Sequence, residues 1–281
     1  MVIKALSILL LTAAILGGSV YFIYELYYKE KKLDGIEQSA MPTPIPAATP
    51  DPAIAAFEVL KPELAKNTVE AREAISAYLT SYPEAPKAAE ACAALGRINL
   101  ALFRDPAATP SNTVYSVKKG DSLVRIAAHF KSNAELIYWA NQLPSINLQI
   151  GQELLVPVID TKLVIHRDKS TVTLFNNGLF FKEYPAVSVK LAGSAASGEI
   201  EGKVIDRIAT KGETRVAFGA KDYPEAERSV ILSVGGATLR TPPAPPADGS
   251  APVTPPGVVL SPGDFSEIYV MVKPGTPFTI K

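Results

Sequence analysis

Residues 113–158 read TVYSVKKGDSLVRIAAHFKSNAELIYWANQLPSINLQIGQELLVPV, and their spacing decides how the chain is organised. Val114, Tyr115, Ser116 and Val117 are suited to a short strand. Gly120-Asp121-Ser122 is a turn, and either Asp121 or Ser122 can cap the helix that follows. Leu123, Ile126, Ala127 and Phe130 then recur at helical spacing on one face. A second helix is predicted over 134–139, with Leu136, Ile137 and Ala140 inward, until Asn141 and Pro144 break it. Ile150-Gly151-Gln152 turns into a second strand at 153–156. The order is strand, helix, helix, strand.

This segment closely resembles a LysM module. YSVKKGDSL, IAAHF, the asparagine at 141 and IGQELLVP stand where that family has them. The resemblance implies binding to glycans containing N-acetylglucosamine, chiefly peptidoglycan or chitin-like chains. Such modules grip the sugar in a shallow groove between two loops. Carried over by position, these loops are Gly120, Asp121, Ser122 and Leu123, with Leu143, Pro144, Ser145 and Ile146. Exposed backbone N–H and C=O groups there can bond the acetamido group while apolar side chains cover its methyl. Each residue also has a plain structural use. Asp121 and Ser122 are caps, Gly120 is a turn glycine, and Leu123 suits the core as well as the groove. Trp139 is either a stacking platform or packing.

On the amino-terminal side, residues 5–24 are twenty in a row without a charge. At about 1.5 Å per residue they span about 30 Å, a bilayer core. Tyr21, Tyr24, Tyr27 and Tyr28 crowd one end and Lys29, Lys31 and Lys32 stop the run. An uncleaved anchor in a cytoplasmic membrane is the expected reading. A cleaved signal peptide is the rival, against which stand the length of the run and the lack of an A-x-A site. A linker is expected over 36–53, with proline at 42, 44, 46, 50 and 52 making it an extended spacer. Residues 54–105 follow as a helical hairpin. Thr68 or Asn67 caps its first helix, which carries Val69, Ala71, Ile75, Tyr78 and Leu79 and ends by Tyr82. Its second helix, about 86–103, places Ala88, Ala89, Cys92, Leu95, Ile98, Asn99 and Leu102 on one face. The pair resembles one tetratricopeptide-like unit, which cannot bury its own face well. Cys92 is predicted to be a small buried thiol.

Beyond residue 161 the pattern changes. LVIHRDKSTVTLFNNGLFFKEYPAVSVK (163–190) alternates around Asn176-Asn177-Gly178, a hairpin signal. Further strands are predicted at 204–208, 216–218, 230–234 and 278–280, and a helix at 265–272. Residues 161–281 resemble the L,D-transpeptidase catalytic domain at their two ends, TLFNNGLFFKEYPAVSV and LSPGDFSEIYVMVKPGTPFTI. The resemblance implies a mechanism needing a histidine and a Ser/Thr-His-Gly-Cys motif, whose cysteine attacks a peptide carbonyl. SVGGATLR (233–240) stands where a histidine-glycine pair would be, and PGVVLSP (256–262) where the cysteine would be, with Val258 or Val259 in its place. A proline-rich stretch, 242–256, replaces the catalytic loop. Neither Ser233 nor Ser261 has a histidine close in sequence, and His166 is the last histidine of the chain.

Composition narrows the function further. The chain has 281 residues, 28 basic and 28 acidic side chains, one cysteine, two histidines and 24 prolines. A pI near 6.8 argues against nucleic-acid binding. One cysteine excludes an intrachain disulfide and a multi-cysteine metal centre. No metal or cofactor is expected. The expected fold class is multidomain α+β: a transmembrane helix, an αα-hairpin, a βααβ LysM module and a mostly-β transpeptidase-like domain. The expected function is a bacterial envelope protein, its bulk outside the cytoplasmic membrane, that binds peptidoglycan glycan strands without catalysis. A cell-wall enzyme using carboxylates such as Asp206, Glu213, Asp222 and Glu225 is one alternative. A scaffold engaging an envelope protein partner is another.

Overall fold

The computed structural model describes residues 51–109, 112–191, 198–243 and 256–281. The predicted membrane span (5–24), the linker up to residue 50 and residues 244–255 of the proline-rich loop lie outside the described residues. Among the described residues no helix is long and apolar enough to cross a membrane. The chain divides into two units, Met1–Asp51 and Pro52–Lys281. The second is mixed α+β.

It starts with helix α1 (Pro52–Leu60) and a 3-10 turn (Lys61–Glu63), earlier than the pattern predicts. Proline is tolerated in a first helical turn, so Pro52 opens the helix rather than ending the spacer. Helices α2 (Val69–Ser81) and α3 (Ala88–Phe103) follow. Thr68 caps α2, its Oγ1 accepting from the Ala71 amide at 3.2 Å. Phe57 and Leu60 of α1 join Ala71, Ile75, Tyr78, Leu95, Ile98 and Leu102 in one buried cluster. The extra helix covers the face that a lone hairpin would leave open. The reverse face of α3 lies on the sheet. There Gly96 admits the stem of Lys182, which a β-carbon would meet at 2.9 Å, and the Asn99 amide donates to the carbonyls of Phe180 and Phe181 at 3.1 and 2.9 Å.

Because α3 is packed on two sides, its core positions differ from the single predicted stripe. Ala91 and Ala94 are buried, Ala89 is exposed and Cys92 is half-buried. Burial, reinforced by the Glu183 carboxylate, pushes the Cys92 thiol up from its ordinary value. It is therefore protonated at neutral pH and a poor nucleophile.

Strand β1 (Thr113–Ser116), helices α4 (Leu123–Phe130) and α5 (Ala134–Ala140) and strand β2 (Glu153–Val156) form the second layer, in the predicted order. β1 and β2 pair antiparallel, Thr113 opposite Val156. The remainder is β3 (Thr161–His166), β4 (Thr171–Asn176), β5 (Leu179–Lys190), β6 (Ile200–Lys211), β7 (Thr214–Arg215), β8 (Glu227–Leu232), β9 (Thr238–Arg240), β10 (Gly257–Leu260), helix α6 (Pro262–Met271) and β11 (Pro277–Ile280). Asn177 and Gly178 take φ of 50° and 75°, the double left-handed turn that joins β4 to β5.

The described strands run β11-β3-β4-β5-β10-β9-β8-β6-β7, and β11 also pairs with β6. The first eight thus close on themselves as a barrel, which leaves them no free edge. β6 makes closure possible. It is far longer than the predicted 204–208 and bears an irregularity between Val204 and Asp206. Its first part pairs with β11 and its last part with β8. The predicted strand at 216–218 is absent. Val216 gives one more ladder bond, to the Ala209 carbonyl at 2.8 Å, and the chain then leaves the sheet. Helix α6 starts before the predicted position because Ser261 caps it and Pro262 occupies its first turn.

Candidate functional site

The module at 113–158 is built on Leu123, Ile126, Ala127, Ile137, Leu143, Leu154 and Val156, one buried cluster. Burying each large aliphatic side chain contributes about 1.5–3 kcal/mol. Asn141 ties the two halves together. Its amide donates to the Ile137 and Leu155 carbonyls, both at 2.7 Å, and its Oδ1 accepts from the Leu155 amide at 2.8 Å. Asn141 therefore does more than end α5: it replaces a missing strand partner for β2. Asn141→Ala strands both polar groups of Leu155 and is expected to cost about 2–3 kcal/mol by urea denaturation.

The first candidate loop is held by its own side chains. Gly120 has φ 88°, and its carbonyl accepts from the Arg125 guanidinium at 2.7 Å. Asp121 Oδ2 accepts from the Tyr115 hydroxyl and the Lys118 amide, both at 2.8 Å. The Lys118 amide and the Tyr115 hydroxyl hold its carboxyl below the usual carboxylate range. Of the two possible caps, Ser122 is the one used, accepting from the Arg125 amide at 3.3 Å. Leu123 is 3% exposed and is core rather than groove. What it can offer a ligand is its amide, in the helix's first turn, where N–H groups lack an intrahelical acceptor.

In the second loop Leu143 is also buried and shares the cluster of Leu123. Pro144, Ser145 and Ile146 are exposed. Ser145 Oγ accepts from the Asn147 amide at 3.1 Å, an ordinary turn contact. Ile146 turns toward the barrel, its Cδ1 3.1 Å from where a β-carbon on Gly219 would lie. The two loops are thus joined underneath through Leu123 and Leu143 while their remaining residues stay accessible.

The module is seated on the barrel by contacts that the sequence pattern does not show, among them a hydrogen bond from the Asn133 amide to the Val270 carbonyl at 3.0 Å. Leu136, Ala140 and Leu155 point away from the module's own cluster into the barrel's hydrophobic core. Phe218, freed from the expected strand, packs against Tyr138 with centroids 5.7 Å apart. Glu135, buried on α5, pairs with Arg207 of β6 at 2.5 Å, and Arg207 also donates to the Tyr269 carbonyl at 2.6 Å. Burial, then the Glu135 charge, pushes the Tyr269 hydroxyl up to about 12. Trp139 is a packing residue on one side. The Arg104 guanidinium stacks 4.1 Å from its ring centre and Phe103 lies 6.4 Å away. Its other side helps line a cavity of ≈ 450 Å³ between module and barrel.

In the barrel, Val258 and Val259 are buried in β10, between β5 and β9. Ser233 is exposed, its Oγ accepting from the Lys203 amide at 2.9 Å. Ser261 Oγ donates to Asp264 at 2.7 Å and caps α6. The four carboxylates singled out from the sequence do not form one cluster. Asp222 and Glu225 bind Lys211 at 3.0 and 2.9 Å, Asp206 binds Arg215 at 2.8 Å, and Glu213 is exposed.

Comparison with known proteins adds family information for one segment. No match is found among curated proteins. Among solved structures, the chain is similar to an L,D-transpeptidase from Mycobacterium smegmatis at 14% identity and TM-score 0.30, covering 61% of this chain and 82% of that one. It is similar to L,D-transpeptidase 3 from Mycobacterium tuberculosis at 13% identity and TM-score 0.30, covering 60% and 91%. The third is an L,D-transpeptidase from Stackebrandtia nassauensis, at 12% identity and TM-score 0.31, covering 80% and 89%. The family model for the LysM domain matches residues 115–157, so the strand–helix–helix–strand module described above is a LysM domain.

Proposed function

We propose that this chain is a bacterial envelope protein that holds peptidoglycan through its LysM domain. The observation that carries the reading is the LysM match over 115–157, together with the accessible loop residues on either side of the Leu123–Leu143 contact cluster. The run at 5–24 anchors the chain in the cytoplasmic membrane, and the glycan's location places the rest of the chain outside it. The barrel is a non-catalytic relative of L,D-transpeptidases that engages wall peptide or an envelope partner. Support for that finer reading comes from the sequence. Its ends resemble that family, whereas the sole cysteine of the chain is Cys92, on a helix before the barrel, and no histidine follows His166.

Sedimentation of the detergent-solubilised chain with purified sacculi tests the wall-binding reading. The chain is expected in the pellet and released by soluble N-acetylglucosamine oligomers. A chain that stays in the supernatant while an established wall binder sediments would overturn it.

A further inference from the structure

The cavity between the LysM domain and the barrel has walls of Tyr138, Trp139, Phe218 and Tyr223, with Lys221 and Arg228 among its lining residues. At ≈ 450 Å³ it falls within the range of small-ligand sites. Its charge is not balanced. Glu135 also lines it, but that carboxylate is taken by Arg207 at 2.5 Å. Arg228 lies 5.6 Å from the Tyr269 ring centre, and among the described residues no carboxylate forms an ion pair with it or with Lys221. Aromatic faces receive an apolar ring face, and a guanidinium with a nearby ammonium receives a carboxylate. Neither half of the chain makes this site alone. The walls come from α5 on one side and from the segment between β7 and β8 on the other.

We propose that this cavity is a second ligand site, taking an N-acetylated amino sugar that carries a carboxylate, on the sugar itself or on an attached short peptide. The sugar ring lies against the aromatic wall and the carboxylate against Arg228 and Lys221. The sugar half rests on the wall-binding reading, whereas the charge requirement does not. Apart from Ile146, the site uses none of the residues assigned to the LysM groove.

Calorimetric titration of the full chain in detergent tests it, with five probes. These are a neutral N-acetylglucosamine tetramer, N-acetylmuramic acid and its carboxamide, muramyl dipeptide, and the same dipeptide with its one free carboxyl amidated. A carboxylate form is expected to bind about tenfold more tightly than its amide. That preference is expected to vanish in the K221Q/R228Q double variant, with affinity for the tetramer unchanged. Lys221→Gln alone, at an exposed side chain, is expected to reduce the preference roughly threefold and does not depend on the double variant folding. Retention of the preference by N-acetylmuramic acid places the carboxylate on the sugar, and retention by the dipeptide alone places it on the peptide. Equal affinity for acid and amide, or a preference that survives in both variants, overturns the proposal. Failure of the wall-binding reading shows separately, as a wild-type chain that does not bind the tetramer.

Discussion

Arg207→Leu is expected to lower the unfolding free energy of the chain by about 3 kcal/mol, the usual scale for removing one partner of a buried ion pair. The side chains of Arg207 and Glu135 are 14% and 8% exposed, and the substitution leaves the Glu135 carboxylate buried without its cation. It also removes the donor to the Tyr269 carbonyl. The damage should be confined to the seat between LysM domain and barrel, because Ile137 and Leu154 hold the domain's own cluster independently of it. Combining it with Glu135→Met tests the cause. An apolar pair of similar volume is close to neutral in stability, so the double variant is expected to recover most of the loss. Urea titrations of the two single variants and the double complete the cycle. A double variant as unstable as the sum of the singles would mean that the pair is not coupled.

Gly257→Ala is expected to be at least as damaging, about 4 kcal/mol or more, measured as a fall in the urea midpoint. Gly257 opens β10 with φ 148°, a region that side chains disfavour. A β-carbon there would lie 2.2 Å from the Thr238 carbonyl oxygen and 3.0 Å from its amide nitrogen. These are backbone atoms of β9, the parallel neighbour of β10, with Gly257 opposite Thr238. The neighbour cannot yield without losing its ladder. Gly263→Ala, in open space on α6, is the matched control and is expected to change stability little.

Features encoded within a few residues were legible in the sequence. Asn177-Gly178 announced its turn because only a few residue types accept two consecutive positive φ values. Ser122 and Thr68 announced helix starts because each supplies an acceptor to an orphan amide. Strand β2 fell at its predicted residues, since Gly151 sets its start. What stayed hidden depends on partners distant in sequence. Strands β9 and β10 are short, and β10 lacks alternation because it is buried along its whole length. Helix α1 was masked by prolines that read as a spacer. Cys92 lies on the stripe that would be core in a helix with one partner, whereas α3 has two.

The site divides in the same way. Positional resemblance named both loops, but only the fold shows that Leu123 and Leu143 are spent on packing, which leaves backbone and the exposed Pro144 and Ser145 to meet a ligand. Phe218 and Arg207 carried no local signal at all. Their roles come from where the barrel brings them against α5.

The proposed function places glycan between residues 120–123 and 143–146 of the LysM domain. Amide chemical shifts of the isotope-labelled full chain, titrated with N-acetylglucosamine tetramer, test it most directly. The expected result is saturable shifts at Gly120, Asp121, Ser122 and Leu123 and at Ser145 and Ile146, with none at the turn between β4 and β5. A titration that leaves both loops unmoved, or that moves only barrel residues, would contradict it.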